Sequence, residues 1–168
     1  PGRSSHSEVL DAYLSRDDVC SVSVNSMSRM GGCDALFIGN ARRYGEFMEE
    51  LPYLKERHGF ITVGASNVTP VNGGFDYIVN YSDVVSEGYR GDSALVMMLN
   101  MSGKKGCRVY LAGFDGFTSN DDNYSDPRLE VEMSKEEAER TNEAISDYIR
   151  GYRRDHEVVF LTPSVYDQ

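Results

Sequence analysis

The residues from Arg108 to Phe117, Arg-Val-Tyr-Leu-Ala-Gly-Phe-Asp-Gly-Phe, place a carboxylate between two glycines directly after an apolar run. Val109 to Ala112 has the length and the glycine boundary of a parallel strand covered on both faces. In an open parallel sheet, ligands collect beyond the carboxyl ends of the strands. Asp115 is therefore expected to face a ligand. Gly113 and Gly116 would leave the backbone free to turn sharply or to let that ligand come close. The alternative is an Asp that only hydrogen-bonds its own turn.

Other polar residues recur at predicted strand ends. Asn25 and Asn40 each close one, and an asparagine can both donate and accept hydrogen bonds to a base or sugar. Asn40 leads into Ala41-Arg42-Arg43-Tyr44, where Arg42 or Arg43 could fork onto a phosphate. Alternatively the arginines offset Glu46, Glu49 and Glu50 on a solvated helix face. Pro1-Gly2-Arg3-Ser4-Ser5 would set backbone N–H groups and two hydroxyls at a helix start, an anion site or a simple cap. Ser66-Asn67 follows another strand in the same manner. Ser93 precedes a Met-rich helix whose amide end could also receive an anion. Tyr124 could close its hydroxyl over a phosphate or pack on Phe117. Asp121 and Asp122 read as solvated loop acids, which with Asp115 could hold a magnesium ion.

These residues need a scaffold, and the hydrophobic spacing supplies one. Val9, Leu10, Tyr13 and Leu14 mark a helix from His6 to Ser15. Strands are expected at Val19–Asn25, Asp34–Asn40, Phe60–Val63 and Asp76–Asn80. Ala41 to Leu54 reads as one helix, bent at Pro52. Asp92 would cap a helix through Leu99, closed by Gly103, with Met97, Met98 and Met101 filling its core side. After the Tyr110 strand, Ser134-Lys-Glu-Glu137 forms a capping box for a helix to Tyr152. Glu157 to Leu161 is the last strand. Alternating strands and helices indicate a Rossmann-like, doubly wound α/β domain, with a mainly parallel sheet of about six strands and helices on both faces. The chain is expected to be a single domain over residues 1–168. Its opening turn has no strand before it, which suggests excision from a longer polypeptide that supplies one.

Composition narrows the functions. The 168 residues include 40% hydrophobic ones, enough for a core. A formal net charge of -10 argues against nucleic-acid binding and against an anionic membrane surface. No run approaches the ~18 apolar residues of a membrane span. Cys20, Cys33 and Cys107 have no metal-ligand spacing, and Cys20 and Cys107 read as small core residues in strands. His6, His58 and His156 are scattered. The chain reads as cytoplasmic, reduced and without a Cys/His metal centre.

The series Pro1-Gly-Arg-Ser-Ser5, Ser21-Val-Ser-Val-Asn25, Ala35-Leu-Phe-Ile-Gly-Asn-Ala-Arg-Arg43, Gly64-Ala-Ser-Asn67, Leu111-Ala-Gly-Phe-Asp-Gly116 and Phe160-Leu-Thr-Pro-Ser164 spans the chain. It resembles the C-terminal domain joined to an aldolase-type barrel in bacterial proteins of the hydroxymethylglutaryl-CoA lyase and 4-hydroxy-2-oxovalerate aldolase superfamily. Those proteins are associated with surface-polysaccharide synthesis. The resemblance implies an N-terminal aldolase domain as a covalent partner, and it lends no lyase activity to this chain. More distantly, the chain is similar to Rossmann-like sialyltransferases that use CMP-sugars and to pterin diphosphokinase-like domains. That likeness implies nucleotide contacts at Gly2, Ser4, Asn25, Asn40, Asp92, Ser93, Asp115 and Tyr124. Two departures stand out: Phe117 occupies the place of a phosphate-holding tyrosine, and no histidine lies between Asp126 and Ser134.

The expectation is thus a module that binds a nucleotide or nucleotide-sugar. Asn25, Asn40, Ser93 and Asp115 would meet base and ribose. The amides of Gly2 to Ser5, with Arg3 or Arg43 and Tyr124, would hold phosphate. Glycosyl or phosphoryl transfer would use Asp115 as base or metal ligand. The rival is a non-catalytic accessory domain that docks on an aldolase barrel.

Overall fold

A computed structural model describes residues 8–26, 32–71, 73–84, 94–101, 106, 108–119 and 133–168. The expectations at Gly2, Arg3, Ser4, Ser5, Asp92, Ser93, Gly103, Cys107, Asp121, Asp122 and Tyr124 lie outside the described residues. The chain divides into two compact units, residues 12–102 and residues 1–11 with 103–168. The boundary at residues 11 and 12 falls within the first helix, α1 (Glu8–Leu14).

Residues 12–102 carry a four-stranded sheet in the order β1-β2-β3-β4, formed by Val22–Val24, Ala35–Ile38, Ile61–Ala65 and Tyr77–Val79. Every pairing is parallel, with Val22 beside Ala35, Ala35 beside Ile61, and Val63 beside Tyr77. All four residues of β2 are buried, because an inner strand with helices on both faces has no solvated side. Leu36 and Ile38 point to one face, where they pack with Tyr44 and Phe47 of α2 (Ala41–Phe47) and Leu51 of α3 (Leu51–His58). Phe37 points to the other, against Ala65 and Met97 of α5 (Ala94–Met101). A short helix, α4 (Tyr81–Val84), lies between β4 and α5.

Residues 41–58 depart from the expected single bent helix. The backbone turns at 48–50, and α3 starts with Pro52 in its first turn. Proline lacks an N–H and clashes with the preceding turn, so it opens a helix more readily than it continues one. Gly59, in the left-handed region at φ 73°, then closes α3 by donating its N–H to Lys55 O. The loop into β4 is fastened by side chains. Tyr44 Oη accepts from Val71 N at 2.9 Å and donates to Val71 O at 3.1 Å. The Asp76 carboxylate accepts from Thr62 N and Thr62 Oγ1 and pairs with Lys55. The Lys55 ammonium, followed by the Thr62 amide, holds that carboxyl below its ordinary range.

The other unit holds a second parallel pair, β5 (Arg108–Leu111) and β6 (Glu157–Phe160), and the helix α6 (Lys135–Tyr152). The predicted capping box is formed: Ser134 Oγ accepts from Glu137 N, and Glu137 Oε2 accepts from Ser134 N. The expected sheet of about six strands is therefore a four-stranded and a two-stranded sheet among the described residues, within a mixed α/β fold compatible with a Rossmann-like class. The β5 run is less enclosed than its sequence suggests. Leu111 is buried, Val109 and Tyr110 are half-buried, and Arg108 is exposed beside Glu157, because among the described residues β5 pairs with β6 alone. Cys20 lies ahead of β1 and is exposed rather than in the core, since the strand begins two residues later. No helix of the described residues is long and apolar enough to cross a membrane.

Candidate functional site

Because the four strands of residues 12–102 are parallel, their carboxyl ends share one edge of that sheet, and asparagines gather there. Asn25 follows β1 with φ 50°, the one described residue other than glycine with a positive φ. Asparagine enters this region more easily than most residues do. Its backbone N–H donates to Phe37 O at 2.9 Å, and its side-chain Oδ1 accepts from Gly39 N at 2.8 Å. Asn67, after β3, donates from Nδ2 to Gly39 O at 3.2 Å. The two amides thus hold both backbone groups of Gly39, extending the sheet by side chains where its ladder stops.

Gly39 itself is buried, and a Cβ there would meet Met97 Cε at 3.0 Å. Asn40 caps α2, with Oδ1 accepting from Arg43 N at 3.1 Å. Each of these three asparagines keeps one amide group that no described residue engages: Nδ2 of Asn25, Nδ2 of Asn40 and Oδ1 of Asn67. Asn25 and Asn40 are half-buried and Asn67 is exposed. The edge therefore offers two donors and an acceptor with no formal charge, suited to hydroxyls, carbonyls and the polar edge of a base.

Arg43 makes the ion pair with Glu46 that one of the two sequence readings gave it, but as a buried residue. It is 6% exposed, and its Nη1 donates to Glu46 Oε1 and Oε2 at 3.2 and 3.4 Å. The side chain is neither on a solvated face nor presented to solvent as a phosphate fork. Burial requires a charge-compensating partner, and Glu46 provides it one turn away. Arg42 is the exposed member of the pair, 3.9 Å from the same carboxylate.

The Asp115 turn belongs to the other unit and is described by itself. Gly113 and Gly116 adopt φ 72° and 108°, as the sequence implied for a sharp turn. The close approach at Gly116, however, is made by protein. A Cβ there would lie 2.4 Å from Val165 Cγ2. The turn's backbone is held at successive points: Gly113 N donates to Thr162 Oγ1 at 2.9 Å, Ser164 Oγ donates to Phe114 O at 2.6 Å, and Val165 N donates to Asp115 O at 3.1 Å. Asp115 is half-buried.

Sequence reasoning passed over the residue that grips this turn most completely. Asn142 of α6 accepts from Phe117 N at 2.9 Å and donates to Phe117 O at 2.8 Å, while Tyr166 donates its hydroxyl to Asn142 Oδ1 at 2.9 Å. A signal was present. Asn142 falls in the helical series Ala138, Asn142, Ile145, Ile149, whose other members are buried. A polar side chain on an apolar stripe requires hydrogen-bond partners. Asn67 was noted in sequence only as a strand-end residue, and its bond to Gly39 gives it a place in the edge.

Among the described residues, no group of three His, Cys, Asp or Glu side chains is placed to hold a metal ion. No family model, curated protein or solved structure matches the chain.

Proposed function

We propose that the chain binds a nucleotide or nucleotide-sugar. The asparagine edge of residues 12–102 takes the base and ribose, and the reaction proposed is transfer of a glycosyl or phosphoryl group. The observation that carries this reading is the set of amide groups left at the ends of β1, β2 and β3, on Asn25, Asn40 and Asn67. Each of these side chains is anchored through its other amide group to the backbone of Gly39 or Arg43, so the groups are preorganised at the place where parallel sheets bind ligands. Asp115 is the candidate base or magnesium ligand, and Arg3, the Gly2 to Ser5 amides, Ser93 and Tyr124 are the candidate phosphate contacts. A cytoplasmic setting and a role in surface-polysaccharide metabolism belong to this reading.

Calorimetric titration with CMP, CMP-sugars, UDP-sugars and GTP, with and without magnesium, tests it. Heat of binding is expected with at least one of them, and the combined Asn25→Ala and Asn67→Ala change should weaken it by about tenfold, as loss of one or two hydrogen bonds does. Absence of heat from every nucleotide at millimolar concentration would sink the proposal.

A second reading, an accessory domain that docks on an aldolase-type barrel, has its own support. Val22, Ile61 and Tyr77 are 40%, 45% and 61% exposed. Their register places them on the same face of the four-stranded sheet. Apolar side chains left uncovered along one sheet face fit a docking role. Under this reading Asp115→Ala leaves every transfer activity unchanged, whereas a transferase loses its activity with that substitution.

A further inference from the structure

Among the described residues β4 has a strand neighbour on one side only, because the order of the four-stranded sheet ends with it. The ladder shows which of its backbone groups are used. Val79 O accepts from Ser66 N at 2.8 Å, so Val79 turns its polar groups toward β3, and Tyr77, two residues earlier, does the same. The N–H and C=O of Ile78, between them, therefore point away from the sheet. Both faces of this edge are bare as well: Tyr77 on one and Ile78 on the other are 61% and 59% exposed. Edge strands are commonly guarded by charged residues or proline, and the three residues Tyr-Ile-Val carry neither.

We propose that β4 pairs with β4 of a second copy of this chain, antiparallel, about a two-fold axis at Ile78. The sequence Asp76-Tyr77-Ile78-Val79-Asn80 is complementary to itself about its centre. Ile78 exchanges both backbone hydrogen bonds with Ile78 of the second copy, Tyr77 lies opposite its Val79, and Asp76 opposite its Asn80. An aromatic ring beside a β-branched residue is a favourable cross-strand pair. The charges fit too: each Asp76, already paired with its own Lys55, meets a neutral amide, and no two like charges stand opposite. Neighbouring registers fit less well. Centred on Tyr77, the pairing sets Ile78 against Asp76, whose N–H already goes to Thr62 Oγ1. Centred on Val79, it sets Ile78 against Asn80, where the chain turns into α4 and Asn80 Oδ1 accepts from Ser82 N. The interface closes at two copies, and it stands apart from the nucleotide reading.

Sedimentation velocity of the full chain tests the proposal. Salt of about 0.15 M is used, because the mutual repulsion of two chains of charge -10 then reaches only about 8 Å. A dimer that dissociates on dilution is expected. Ile78→Lys sets two ammonium groups opposite each other at the axis and should raise the dissociation constant by more than about tenfold. Position 78 is exposed, so the circular dichroism of this variant should match wild type. A second measurement reads the register. Ile78→Cys, on a Cys20→Ser background that removes an exposed thiol, should oxidise to a covalent dimer, since facing Cα atoms in such a pair lie about 5.5 Å apart, within disulfide reach. Ile61→Cys on the same background, 45% exposed on the sheet face, should cross-link at least about tenfold more slowly. Monomer at every concentration overturns the proposal, and so does a dimer that Ile78→Lys leaves intact. If Ile78→Lys does not fold, the cross-linking comparison decides alone, and equal rates at positions 78 and 61 overturn the proposal.

Discussion

At the scale of single residues, the glycines separate two uses of a missing side chain. Gly113 and Gly116 have positive φ and shape a turn, whereas Gly64 in β3 makes room for a ring. A Cβ on Gly64 would sit 2.0 Å from Phe75 Cδ2, and Phe75 in turn lies edge-on to Tyr44 with ring centroids 5.2 Å apart. Tyr44 holds Val71, so displacing the ring would loosen the connection into β4. Overpacking of this kind costs about 1–3 kcal/mol. Gly64→Ala should lower stability by an amount in that range in urea unfolding, and an unchanged midpoint would show that the ring can move freely. The asparagines show how far single residues could be read without coordinates. Asn25 and Asn40 were recognisable at strand ends, but the same side chains also bond the protein's own backbone. Sequence places a residue on an edge; it does not say how many of its polar groups the fold consumes. Arg43 makes the point in reverse: its pairing with Glu46 was among the sequence readings, and its burial was not.

At the scale of elements, the positions of the six strands among the described residues were legible, because short runs rich in β-branched and aromatic residues and bounded by turn residues favour strands. The capping box of α6 was legible for the same local reason. Pairing was not, because partners of β5 and β6 depend on contacts far apart in sequence. The grip of Asn142 on Phe117 was hidden likewise, across 25 residues. The fastening between α3, β3 and β4 carries a pH dependence that can be worked out. Lys55 and the Thr62 amide depress the Asp76 carboxyl, so its folded pKa lies below the unfolded one. Its contribution to stability is then present above the unfolded value and is lost as pH falls through the folded one. Asp76→Asn should therefore be less stable than wild type at neutral pH, with the difference shrinking below about pH 4. Urea midpoints across that range measure it, and a gap that stays constant on acidification would rule out the ionised Asp76 as its source.

At the scale of the whole molecule, net charge sets how an anionic ligand arrives. A chain of formal charge -10 repels a phosphate at long range, and under the proposed reading this acts on a nucleotide whose base the amides would take. Salt shortens the reach of that repulsion, to about 10 Å at 0.1 M, and leaves short hydrogen bonds nearly untouched. The asparagine edge is uncharged among the described groups it offers, and Arg43 is compensated by Glu46, so its hold on a base should depend little on ionic strength. Nucleotide association is therefore expected to speed up modestly between about 0.02 and 0.2 M salt, in the opposite sense to a basic nucleic-acid binder, whose affinity falls steeply with salt. Stopped-flow association rates and calorimetric affinities across that range provide the measurement. The corresponding nucleoside, which lacks the phosphate, should show almost no change. A steep loss of nucleotide affinity with salt would mean that cationic side chains dominate the encounter, and would move the weight of recognition from the strand-end asparagines to phosphate contacts such as Arg3.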